Sequence, residues 1–358
     1  MNLPQPDFHH LFRLSDDTGI LEHALMCVPR REHGYCVDDV ARALIVICRE
    51  KSVSPNMTDL AGRYLAFLKN AMRVDGKFHN RFSYQREWLD DIGSDDCQGR
   101  ALWALGTAAT MAPTQELRDI AHRMFDEAST EFSSPYLRSN AFAALGAAKI
   151  LEFYPKHKQA AELLESTAHN IINCLEPISE RWLWPETRLA YDNARIPQAL
   201  IAAGRIFEEP STLSKGLLLL DWLVDIEWHK THFSFTPVGG RGVDDSKPKF
   251  DQQPVEAAAT TEACAESYLV TKNVIWAQRA ITAANWFLGA NDIGVSLYNR
   301  NTGGCFDGLH EDRVNLNQGA ESTISCISAF QRGREVLQLR SMYQEKEDRN
   351  QLKTNFLN

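Results

Sequence analysis

One pattern recurs six times along this chain and constrains its fold more than any other feature. A polar cluster of Asp, Asn, Ser or Glu runs directly into an Ala-rich, apolar stretch. The six copies are GYCVDDVARAL from Gly34, GSDDCQGRALWALG from Gly93, SSPYLRSNAFAALGAA from Ser133, AYDNARIPQALIAAG from Ala190, FDQQPVEAAATTEA from Phe250 and NLNQGAESTISCISAF from Asn315. With Asp39, Asp96, Ser139, Asn193, Pro254 and Gly319 as equivalent points, the intervals are 57, 43, 54, 61 and 65 residues. Such spacings are too long for a simple solenoid unit and too irregular for a duplicated one. They suit helical hairpins joined by loops of variable length.

Between the copies lie segments with wider polar faces. Met57–Met72 places Leu60, Tyr64, Leu65, Leu68 and Met72 on one side of a helix. Thr114–Phe132 opens on Thr114, a natural N-cap. His157–Cys174, Ser211–Ile226 and Asn273–Leu288 share the amphipathic pattern. The Ala-rich copies are instead small and apolar nearly all round, as a helix enclosed by others must be. Six buried helices alternating with outer ones predict an all-α fold, an (α/α)6 barrel or toroid of six hairpins, as one domain over residues 1–358 with a tail from about 346. The sixth outer partner is either Pro6–Leu25 or Glu335–Glu345. Short β-hairpins are expected in Lys77–Tyr84 and Thr231–Gly240.

In such a barrel the six inner N-termini face one end, and the loops there carry function. Those loops are acidic. Asp38 and Asp39 open the first inner helix, and Asp90, Asp91, Asp95 and Asp96 precede or open the second. Glu186 and Asp192 precede the fourth, Asp244, Asp245, Asp251 and Glu256 surround the start of the fifth, and Asp307, Asp312 and Glu321 flank the sixth. One Asp at a helix start is an N-cap. A helix needs only one cap, so the doublets leave a carboxylate for other work. Carboxylates sharing a desolvated cleft push each other's pKa values apart, which yields one protonated acid and one ionised base. Glycoside hydrolysis requires that pair, about 6.5–9.5 Å apart for inversion.

Asp39 and Asp96 are therefore the first candidates for acid and base, and Asp251 and Glu321 the next. Trp88, Trp184 and Tyr191 are candidate sugar platforms, with Asp38, Asp91, Asp95, Asp192, Gln253 and Glu256 as further substrate contacts. Arg42, Arg100 and Arg195 follow acidic positions by three or four residues and read as ion-pair partners. The histidines, among them His79, His229, His232 and His310, assemble no metal set by spacing, so neither a metal nor a cofactor is expected.

The formal net charge of −9 argues against nucleic-acid or anionic-membrane partners, whose phosphates need basic patches. The N-terminus lacks a basic start followed by an apolar run, and no CxxC pair occurs among eight cysteines. Reduced core thiols and a cytoplasmic location follow as expectations.

On these motifs the chain resembles the (α/α)6 six-hairpin glycosidase superfamily across nearly its whole length. More narrowly, GYCVDDVARAL, DDCQGRALWALG, FDQQPVEAAA and NQGAEST resemble a bacterial family found alone or fused to family-four glycosyltransferases, often near mannoside-processing genes. The resemblance implies an oligosaccharide or polysaccharide fragment as ligand and a glycosyltransferase as partner. It supplies no catalytic pair, and this chain has no Rossmann-like half. Three functions stay open at this point: an inverting glycoside hydrolase, a sugar epimerase or isomerase, and a noncatalytic glycan-binding partner of a glycosyltransferase. The carboxylates at the helix starts favour the first, since epimerases of such barrels use histidines there.

Overall fold

The computed structural model describes residues 3–175 and 181–356, with side chains through Tyr343. The chain begins with the short helix α1 (His9–Leu14), then strands β1 (Leu21–Leu25) and β2 (Val28–Cys36). Five hairpins follow, each an inner helix and then an outer one: α2 (Val37–Cys48) and α3 (Pro55–Ala71), α4 (Asp95–Met111) and α5 (Gln115–Ser129), α6 (Leu137–Phe153) and α7 (Lys158–Asn173), α8 (Arg195–Ile206) and α9 (Pro210–Glu227), and α10 (Pro254–Thr271) and α11 (Val274–Asn285). The last inner helix is α12 (Ala320–Phe356).

The inner helices pack in the order α2, α4, α6, α8, α10, α12, and α12 returns to α2, closing the ring. The six points chosen from sequence fall within two residues of the six inner-helix starts or inside their first turns. The physical reason is burial. Every residue of α10 from Pro254 to Tyr268 is buried, so small side chains must fill it. The tightest approach is between α4 and α6. A Cβ on Gly106 would lie 2.2 Å from Gly146 O, and one on Gly146 would lie 2.4 Å from Leu102 O. Only glycine allows the two backbones so near each other.

The outer helices are amphipathic as expected, and Thr114 caps α5 by accepting from Leu117 N. The sixth outer place falls to α1, which packs on α12. Of the two candidates, Pro6–Leu25 thus holds the helix but also β1, while Glu335–Glu345 is the continuation of α12. The expected hairpin at Lys77–Tyr84 is replaced by β3 (Arg81–Phe82), which pairs with Tyr35 and Cys36 of β2 in a three-stranded sheet β1-β2-β3. The hairpin expected in Thr231–Gly240 sits earlier, as β4 (Trp228–His229) and β5 (His232–Phe233). Six of the eight cysteines are buried free thiols, but Cys27 is half-buried and Cys174 exposed. Among the described residues no helix is long and apolar enough to cross a membrane.

Candidate functional site

The β1–β2 hairpin folds over the approach to α12. Gln318 N–H donates to Met26 O at 2.9 Å, and Met26 N–H to Asn317 Oδ1 at 3.3 Å. This docking closes one side of a cleft at the inner N-termini. Asp38, Asp39 and Arg42 from α2 line it, as do Asp251 and Gln253 before α10, and Glu321 in the first turn of α12. Glu22, His23 and Arg81 line it from the small sheet. Chain positions hundreds of residues apart thus share one pocket.

Arg42 organises its floor. Its Nη1 donates to Asp39 Oδ1 at 2.9 Å, and its Nη2 lies 2.8 Å from Glu321 Oε2. Asp39 is buried and also accepts from Cys36 Sγ at 3.2 Å. Burial pushes its carboxyl up to about 7, with Glu321 and Glu22 adding to the rise and Arg42 opposing it. Glu22, Cys36 and Asp39 bring their ligand atoms within 4.8 Å of one another. Within this group Cys36 donates to Asp39, and burial raises the Cys36 thiol well above its ordinary value.

Asp251 stands on the other wall. Its Oδ1 is shielded from water and accepts no hydrogen bond, while its Oδ2 lies 3.5 Å from His310 Nδ1. Burial raises its carboxyl above the usual range, and Asp307 adds to the effect, while His310 and Arg313 oppose it. Glycine at 308 leaves room for this carboxylate, since a Cβ there would meet Asp251 Oδ1 at 2.7 Å. Asp307 itself holds the start of α12, accepting from Gly319 N–H at 2.7 Å and Ser322 Oγ at 2.5 Å.

This closed double ring of helices has recognisable counterparts. A sugar epimerase from a ruminal bacterium superposes over 91% of this chain and 95% of its own, with TM-score 0.67 and 11% identity. A D-mannose isomerase covers 93% and 95% of the two chains at TM-score 0.65 and 12% identity. The GH76 α-mannanase of Bacteroides thetaiotaomicron does so over 93% and 95%, at TM-score 0.65 and 11% identity. The fold is the (α/α)6 toroid. At these identities the likeness is one of architecture. No family model and no curated protein matches the sequence.

Within the toroid, the remaining sequence candidates divide by place. Asp96 lies in the first turn of α4, where Oδ1 accepts from Ser139 Oγ and Oδ2 from Tyr191 Oη, both at 2.6 Å. Tyr191 is exposed, and the Arg138 guanidinium lies 4.9 Å from its ring centre. Asp95 accepts from Ser134 Oγ at 2.7 Å. These residues form a rim on the α4–α6–α8 side, apart from the lining of the α2–α10–α12 cleft. Asp91 is exposed in the loop before α4.

Other candidates are interior. Asp192 is fully buried between Arg100 Nη2 at 2.8 Å and Arg195 Nε at 3.2 Å. Despite burial, these cations and Arg42 hold its carboxyl below the usual range. Glu256 accepts from the backbone of Asp192 and Asn193 and from Asn193 Nδ2. Burial, with Glu227 and Asp192 nearby, raises it to about 8. Both residues shape the loop into α8, so the substrate contact expected of them gives way to a structural place. Trp184 is corrected too. It has 0% exposure, and its Nε1 donates to Glu186 Oε2 at 3.0 Å, so no ring face is free for a sugar. Trp88 is half-buried, stacked on His79 at 4.9 Å and packed on Phe67 and Phe82.

Two of the three expected arginine pairs form locally, Arg42–Asp39 within α2 and Arg195–Asp192 at the entry to α8. Arg100 instead reaches Asp192 at 2.8 Å and, at 3.5 Å, Asp38. The cleft residues that sequence reasoning missed, Glu22, His23 and Arg81, all sit on β1 and β3. Their hairpin turns at Met26 and Cys27, with Met26 at φ 56°. It therefore lacks the Asn-Gly or Asp-Gly pair that announces such turns.

Proposed function

We propose that the protein is a carbohydrate-active enzyme, an inverting glycoside hydrolase acting on an oligosaccharide as one catalytic-type unit. The observation that carries this reading is the presence of two unlike carboxylates in the lining of one cleft. Asp251 is raised by burial and has an oxygen without a partner. Glu321 is ion-paired to Arg42, and its side chain is 42% exposed. Asp251 is the general acid that protonates the leaving glycosidic oxygen. Glu321 is the base that takes a proton from water on the opposite face of the ring. Asp39, behind Arg42, positions Glu321. Asp38 and Gln253 contact the sugar bound in the cleft, and Tyr191 with Asp96 supplies an outer platform.

A sugar epimerase or isomerase is the second reading. It is favoured by His23 in the cleft lining and by His310 beside Asp251, since a histidine can move a proton at a sugar carbon. Reducing-end detection over an oligosaccharide array, run beside incubation of free monosaccharides in heavy water, separates the readings. New reducing ends that vanish in Asp251→Asn support hydrolysis. Deuterium entering a free sugar without new ends replaces it with isomerisation. Saturable binding with neither product leaves a glycan-binding partner of a glycosyltransferase.

A further inference from the structure

Away from the cleft, two hairpins bring three metal-binding side chains together on the outside of the toroid. His122 and Asp126 stand one turn apart on α5, and His157 immediately precedes α7. Each offers a ligand atom, and these atoms all lie within 4.8 Å of one another. His157 Nε2 is 3.1 Å from Asp126 Oδ1. The two imidazole rings sit 4.9 Å apart, tilted by 33°.

We propose that His122, Asp126 and His157 form a site for a divalent transition metal of the zinc class, which straps α5 to α7. Two imidazoles and one carboxylate, with a fourth position left for water, are a donor set that zinc accepts. Ligand atoms around one tetrahedral zinc, at about 2.0–2.2 Å each, lie about 3.3–3.6 Å apart, and His157 Nε2 and Asp126 Oδ1 are already at 3.1 Å. The trio therefore needs only a small inward adjustment. Asp126 Oδ1 is shielded from water and accepts no hydrogen bond, which leaves a carboxylate oxygen without a donor where a cation would sit. All three residues are half-buried, so an ion can enter from solvent.

The tautomer of His157 gives the site a signature. Its Nδ1 accepts from Ala160 N–H at 3.2 Å and caps α7. Without metal, the ring proton is therefore on Nε2, which lies 3.1 Å from Asp126 Oδ1 without forming a hydrogen bond to it. A metal on Nε2 moves that proton to Nδ1 and releases the cap. Loading the site thus exchanges a helix cap for an interhelical tie.

Titration of the untagged chain with zinc chloride, in a buffer that does not chelate, tests it. Binding is expected to saturate at one ion per chain, to raise the melting temperature, and to be reversed by EDTA. Cobalt(II) in its place is expected to show the visible absorption of a four-coordinate N/O site. His157→Asn keeps a good N-cap while removing the imidazole, and His122→Ala changes a half-buried outer-helix position. Each is expected to weaken binding at least about tenfold. Absence of saturable binding, or equal affinity in both variants and the parent chain, overturns the proposal.

Discussion

Arg42 ties the first inner helix to the last, its Nη2 lying 2.8 Å from Glu321 Oε2. The same guanidinium holds the buried Asp39 at 2.9 Å. One side chain therefore both neutralises an interior carboxylate and aims an accessible one. Arg42→Ala leaves Asp39 buried without its cation and is expected to cost about 3–5 kcal/mol of stability, read by denaturant unfolding. Arg42→Lys keeps the charge but not the planar fork. It is expected to fold, and to lose turnover by about tenfold, equivalent to about 1.4 kcal/mol.

The acid role assigned to Asp251 has a pH signature. Burial raises its carboxyl, so the protonated form persists above the ordinary carboxylate range. An acid works only while it holds its proton. Activity should therefore fall on the alkaline side, at a pH displaced upward from where an ordinary carboxylic acid loses its proton. Asp251→Asn is expected to lower kcat by about 100- to 10,000-fold and to abolish that limb. An unchanged pH–rate profile in this variant would remove Asp251 from the mechanism.

On the opposite rim, Tyr191 donates to Asp96 at 2.6 Å. If these residues form a platform, Tyr191→Ala should raise KM and leave kcat close to that of the parent chain. A stacked ring is worth about 1 kcal/mol here, or roughly fivefold in KM. A collapse of kcat instead would place Asp96 in the chemistry.

Glu262 controls acid stability. It is buried between Arg49 at 2.9 Å and Arg195 at 3.1 Å. Although burial opposes this, the two cations depress its carboxyl far below the ordinary 4.5. A depressed carboxylate contributes stability above its unfolded pKa, and that contribution is lost as pH falls through the folded one. Glu262→Gln is expected to be about 3–5 kcal/mol less stable at neutral pH. Chemical denaturation at stepped pH should show the gap narrowing below about pH 4.5.

The α4–α6 contact makes the last prediction. Gly106→Ala drives a methyl to 2.2 Å from a backbone oxygen, which no side-chain rotation relieves. A loss of about 1–3 kcal/mol or more is expected, with the melting temperature as the readout.

How much of this was legible beforehand depends on whether a property is local. Inner-helix starts were readable because a polar cluster before an all-round apolar stretch permits few other structures. Asp39, Asp251, Gln253 and Glu321 share one pocket because their helix starts share one end of the ring, whereas Asp96, expected beside Asp39, stands on the α4–α6–α8 rim. Trp184 was misplaced, since its nearness to a helix start says nothing about which way the indole points, and it points into the core. Glu22 and Arg81 went unseen because their strands are short and turn without the usual residues.

By itself the sequence determined the helices, their division into buried and outer sets, and the acidity of one end of the ring. These follow from side-chain size and hydropathy, which act residue by residue. Only the tertiary structure decided that Arg42 reaches Glu321, that Arg100 serves Asp192 rather than Asp96, and that one oxygen of Asp251 is shielded from water. Those outcomes depend on the rotation of each helix about its axis and on desolvation, and both are set by packing between segments far apart in the chain.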